Sequence, residues 1–148
     1  MARLYRVSCA ALLGAQLFFA GAAAQSVFSS EIASLPRDDP RRRAAADAVG
    51  AMLARLDAAT LVLCAVAVVC ALQLKRARAA LLPLFAGLCA LASAALVTPA
   101  IHAMRLAGDT ASARFGALHG ISTSLLVVEM LLLGVAAWFA PESRATPG

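Results

Sequence analysis

Few side chains in this sequence could do chemistry, and most of them sit in unusual company. Glu129 is the single charge in the apolar run from Phe115 to Pro141. An isolated carboxylate in mid-membrane is costly, so such a residue is expected to face the inside of a helical bundle. Gln16 lies near the middle of another apolar run, at similar depth, and is the expected hydrogen-bond partner. Two readings of Glu129 follow. It is a proton relay, or a substrate or ion contact, on an internal polar path; or it is a neutral acid locking two helices together through one hydrogen bond. His119 and Ser122 open the same run, and His102 lies at the end of the one before it. A hairpin would bring His102 and His119 to one face of the membrane, where neutral imidazoles bind copper or, axially, haem iron. With only two histidines and no cysteine beside them, the competing reading is interfacial hydrogen bonding. No cofactor is therefore expected, haem or copper on His102 and His119 being the alternative.

Catalytic signatures are missing from the sequence. It has no phosphate-cradling glycine loop, nucleophile elbow or zinc-protease motif. Ser122 and Ser124 share one helix with His119 and have no orienting acid, so they form no triad. The expectation is a protein that is not an enzyme. Cys9, Cys64, Cys70 and Cys89 lie inside apolar runs, match no zinc spacing or disulfide framework, and read as small packing residues.

The elements that must hold these residues follow from composition. Of 148 residues, 62% are hydrophobic and 14% charged, with a mean hydropathy of +0.84. Soluble domains are about 45–50% apolar and about 25% charged. A soluble enzyme, a disordered tail and a disulfide-rich secreted module are excluded. Four apolar stretches suffice for four crossings of about 20 residues each. Spans are expected at about 7–28, 55–74, 79–101 and 117–140 in a single domain. The first also resembles a signal peptide, since Ala22-Ala23-Ala24 precedes Gln25. Its apolar stretch nevertheless outruns the usual core of about 7–15 residues, and Phe28 continues it beyond that point, so a retained span is favoured.

Between the first two spans, Ser29 to Asp57 is polar, with Pro36 and Pro40 as helix breakers. Beyond Pro40, Val49, Met52, Leu53 and Leu56 recur at helical spacing, predicting an amphipathic helix on the membrane surface or fused to the second span. Arg55 and Asp57 are expected at the interface. Pro83 suits the first turn of the third span, and Pro99 should kink or stop that helix. Gly116, Gly120 and Ser124 recur every four residues, with a weaker echo at Ala10 and Gly14. Such stripes let helix backbones approach closely, within the bundle or between copies in a homo-oligomer.

The net charge of +5 comes from short basic clusters beside apolar runs, as in headgroup anchors. The partner is the lipid bilayer. With one Tyr and one Trp, the chain lacks the aromatic interleaving of a nucleic-acid surface, and no nucleic acid is expected. The charges on the two sides nearly balance, six against seven. Cytoplasmic termini are favoured because the first helix usually dominates and the Lys75–Arg78 turn is tight. Tyr5 and Trp138 are expected together in one aromatic belt. Richness in Ala and Arg and the lack of Asn suggest a GC-rich bacterial genome, and hence an inner-membrane protein.

Three blocks resemble the transmembrane protein 205-like family, a bacterial membrane domain without an agreed activity. Gly14-Ala-Gln-Leu-Phe18-Phe19, with the small residues up to Val27-Phe28, resembles its first helix. Pro99-Ala-Ile101-His-Ala-Met-Arg105 looks like its Pro, Ile and basic motif after the third helix. Phe115-Gly-Ala-Leu118-His119-Gly120-Ile-Ser122 looks like the opening of its fourth. The blocks come in family order and span about residues 14 to 139. Gln25 stands where the family often has Pro, and no Asn follows Ser124. The resemblance implies four membrane helices and a retained first helix, and makes His119 and Ser122 motif positions. Together these readings predict an all-α integral membrane four-helix bundle with a partly helical polar connection between helices 1 and 2. Its expected role is accessory or transport-related, with Gln16, Glu129, His119 and Ser122 along a polar path.

Overall fold

In the computed structural model, residues 1–140 are described; the polar tail from Pro141, including the Arg144 counted in the charge balance, lies outside them. The fold is all-α. Four helices are long and apolar enough to cross a membrane: α1 (Ala2–Val27), α3 (Pro40–Gln73), α4 (Ala77–Leu106) and α5 (Ala113–Trp138). A short α2 (Ser30–Ser34) stands in the first connection. At a rise of about 1.5 Å per residue, 26 residues reach about 39 Å, more than the hydrocarbon core of about 30 Å. The helices pack in chain order, α1 on α3, α3 on α4 and α4 on α5, and α5 closes the ring against α1. This is the up-down-up-down arrangement that short loops favour.

Each helix turns one narrow seam inward. Residues 5, 9, 12, 16 and 19 of α1, 57, 60, 64, 67 and 71 of α3, 83, 86, 90, 93 and 97 of α4, and 129, 133 and 136 of α5 are buried. The alternating steps of three and four are the signature of left-handed, coiled-coil-like packing. The seams are rich in small residues. Cys9, Cys64, Ala67, Cys70, Ala86, Ala90 and Ala136 fill the interior, while Leu17, Phe18, Leu72, Leu96, Leu131 and Trp138 point outward. Lipid tails are as apolar as leucine, so close backbone approach replaces the hydrophobic drive inside the bundle. The cysteines are free and serve as part of this small-residue packing.

The polar connection is helical over much of its length. Asp39 caps α3, its Oδ1 accepting from the Arg41 N–H at 2.8 Å, and Pro40 takes the first helical position, where no donor is missed. The amphipathic segment beyond Pro40 extends the second span as one continuous helix. Arginines fasten this end. Arg37 Nη1 donates to the Thr110 carbonyl at 2.8 Å, and Arg105 Nη1 donates to the Ala46 carbonyl at 2.9 Å, passing beside Gly50.

At the opposite end, α3 stops in a double turn. The Arg76 N–H donates to the Ala71 carbonyl at 3.0 Å, and the Lys75 N–H to the Leu72 carbonyl at 2.9 Å. This is the Schellman arrangement, which wants a left-handed residue. The same pair of bonds ends α4, where Gly108 (φ 73°) supplies that residue. On α3 the residue is Lys75 (φ 54°), the one non-glycine with positive φ among the described residues, at a cost of about 1 kcal/mol.

Four expectations need correction. Pro83 lies in the second turn of α4, not the first. It removes the donor that the Ala79 carbonyl would have had, and the Tyr5 O–H donates to that carbonyl instead, at 2.8 Å. Tyr5 is therefore buried in the core rather than placed in a belt with Trp138, which is exposed. Of the two outcomes expected at Pro99, a kink or a stop, the stop does not occur. A wide turn at Ser93–Val97, in which the Thr98 N–H reaches back to the Ser93 carbonyl, accommodates the proline, and the helix continues to Leu106. Gly116, Gly120 and Ser124 face outward rather than packing helices within the bundle. No described atom would meet a Cβ at either glycine within 4 Å. Gly14 and Ala10 are likewise exposed. The inner seam of α5 runs through Ser122, Glu129, Leu133 and Ala136, which leaves the stripe on another face.

Candidate functional site in the bundle core

The seams bring a set of polar residues together inside the bundle. Gln16 of α1 is fully buried, and its Nε2 donates to Glu129 Oε2 of α5 at 2.7 Å and to Thr60 Oγ1 of α3 at 3.4 Å. The first contact is short, as expected for a bond to a carboxyl group. Glu129 is 1% exposed and Thr60 0%. One turn along α3 from Thr60 stands Asp57, 2% exposed, close enough to Glu129 for their charges to interact. Ser93 of α4 approaches the Asp57 carboxyl and is itself buried. All four spanning helices thus contribute one or two polar groups to a single cluster.

The cluster is incompletely satisfied. Gln16 Oε1 and Asp57 Oδ2 are buried and accept no hydrogen bond from the protein. Each such atom costs about 1–3 kcal/mol unless it finds a partner. Hydrogen-bond capacity is therefore left over beside two carboxyl groups, an arrangement that can accept a proton or a small polar guest. Backbone geometry also departs from the α-helix at this level. Ser93 opens the wide turn of α4, and a second wide turn occupies Phe19–Ala23 of α1, around Gly21 and one turn beyond Gln16. Such turns concentrate at functional positions in helices.

The expected residues divide. Gln16 and Glu129 are in contact. Ser122 is buried on the same face of α5 as Glu129, two turns away. His119 is exposed, stacked on Phe115 with ring centroids 6.5 Å apart, and does not join the cluster. Its step of three from Ser122 would continue the inner face, but it lies near the loop end of α5 and is exposed there. His102 is exposed as well, and the described residues hold no group of three or more His, Cys, Asp or Glu side chains able to grip a metal ion.

Asp57, Thr60 and Ser93 escaped the sequence reading. Asp57 was expected at the interface with Arg55 because both precede the charge-free run. Helical residues two positions apart point to nearly opposite faces, however, and Arg55 is exposed while Asp57 turns inward. The signal was available in the spacing Asp57, Thr60, Cys64, Ala67, Ala71, a small and polar stripe at the interior period.

Fold and site together define a class: a multi-pass integral membrane protein whose outer surface contacts the lipid bilayer and whose core is polar at one level. No family model matches the chain, and no curated protein or solved structure matches it either.

Proposed function

We propose that the protein is a small, non-enzymatic, transport-related or accessory component of a bacterial inner membrane, in which Glu129 exchanges a proton on an internal polar path. The observation that supports this reading is the burial of two neighbouring carboxyl groups, Glu129 and Asp57, in one cluster, where Gln16 donates to Glu129 and Thr60 and an oxygen of Asp57 is left without a donor. Ionisable groups inside a membrane bundle are kept at a cost, and proton relays and ion pathways are their commonest use. A purely structural lock would need one acid and one donor, with no second carboxyl and no open acceptors. Membership of the transmembrane protein 205-like family belongs to the same proposal; it accounts for four helices and is neutral about chemistry. The earlier polar path shortens to Gln16, Glu129 and Ser122 and gains Asp57, Thr60 and Ser93.

The test compares the wild type with Glu129→Gln in proteoliposomes, reading proton movement with a trapped pH-sensitive dye and the carboxyl stretch by infrared difference spectroscopy. A carboxyl band that responds to external pH and vanishes in the variant, together with altered flux or growth at normal expression, is the expected result. A band indifferent to pH, with unchanged flux and growth, would reduce Glu129 to a helix lock.

A further inference from the structure

The end of the bundle opposite the arginine-fastened loops carries an open recess of about 680 Å³ between the α3–α4 turn and the last turn of α5. Lys75, Arg76 and Arg78 line its rim, and Tyr5, Leu82 and Phe139 are among the residues of its floor and wall. All three cations are exposed. Arg3 and Arg6 open α1 at the same end, and among the described residues no Asp or Glu accompanies these five positive charges. The other end is different, with Glu31, Asp38, Asp39, Asp47 and Asp109 interspersed among its arginines. A cationic rim above an apolar wall suits a molecule that is anionic at one end and greasy at the other. Phe139, which lines the recess, is itself exposed, as an acyl chain leaving the recess for the lipid would require.

The backbone supplies an independent argument. Lys75 occupies the left-handed position where Gly108 serves in the matching turn, so a charged side chain stands at the rim against the local conformational preference. Strain held in this way is a pointer to a binding role. The rim has unusually firm support underneath, because Tyr5 ties α1 to the Ala79 carbonyl at the start of α4.

We infer that this recess is a binding site for the headgroup of an anionic phospholipid, the phosphate held by Lys75, Arg76 and Arg78 and the acyl chains descending past Leu82 and Phe139. Basic pockets between helix ends recognise such lipids. The inference stands apart from the proton-exchange proposal and shares no residue with it.

The protein in nanodiscs of phosphatidylcholine with a minor fraction of spin-labelled phosphatidylglycerol gives the test, with spin-labelled phosphatidylcholine as reference and inorganic phosphate as competitor. Immobilisation of phosphatidylglycerol over phosphatidylcholine, untouched by added phosphate, is expected. Arg76→Ala and Arg78→Ala should each weaken it about fivefold, whereas Arg3→Ala and Arg6→Ala, off the rim, should have less effect. Lys75→Gly guards against a folding artefact, since it relieves the backbone: thermal stability should rise while lipid retention falls. Equal immobilisation of the two lipids, or equal losses for rim and off-rim variants, would overturn the site in favour of diffuse attraction. Displacement by inorganic phosphate would overturn it in favour of a soluble anion.

Discussion

Tyr5 and Pro83 form a pair whose logic is testable at the level of single atoms. Proline withdraws one donor from α4, and the phenol replaces it from α1. Tyr5→Phe should destabilise the bundle by about 1–3 kcal/mol, because the Ala79 carbonyl is then left bare. In a Pro83→Ala background, where the helix recovers its own N–H, the same substitution should cost little. Thermal unfolding in detergent across this double-mutant cycle measures the coupling. A second pair concerns Gln16. Gln16→Leu strips Glu129 and Thr60 of their donor and should lower stability by a similar amount, whereas Glu129→Gln keeps a side chain of the same shape and should lose function with less loss of stability. Glu129 and Gln16 were legible in the sequence because a lone polar residue in a long apolar run has one affordable direction to face. Tyr5 was not, because its partner is a backbone carbonyl exposed by a proline in another helix, and local pattern carries no trace of that.

At the scale of whole helices, the apolar lengths alone identified four spans, since a crossing needs a long run with almost no charge and four such runs are present. Facing was harder to read. Gly116, Gly120 and Ser124 have the spacing of a packing stripe, yet the inner seam of α5 runs through Ser122 and Glu129 instead. Spacing fixes which residues share a face, and only the neighbouring helices decide whether that face turns inward. Because the stripe is exposed, it packs no helix within the bundle, and the expectation of contact between copies is left to experiment. If the protein associates through it, Gly120→Ile should convert a dimer to monomer in detergent without changing helicity, as read by analytical ultracentrifugation and circular dichroism. A monomer in both forms would remove that expectation. The wide turn at Ser93–Val97 was equally hidden: Pro99 announced a disturbance, but whether a helix bends, stops or widens depends on what it packs against.

For the whole molecule, four crossings place the Lys75–Arg78 turn on one side of the membrane and both polar connections, residues 28–39 and 107–112, on the other. Single cysteines introduced at Arg76 and at Asp38 in a background free of the native four should react with an impermeant maleimide from opposite sides of sealed vesicles. Labelling of both from one side would contradict the bundle. The fastening of the two polar connections has a further consequence for how the protein tolerates its surroundings. Arg37, Arg42 and Arg105 spend their protons on neutral carbonyls of other segments, while the ion pairs of Arg41 with Glu31 and Asp39 are long and exposed. Dissolved electrolyte screens attraction between opposite charges far more than it weakens a directed bond to a carbonyl. Brine should leave these two connections fastened, and protease cutting within residues 28–39 should proceed no faster in concentrated salt than in dilute buffer, while Arg37→Ala should hasten it in both.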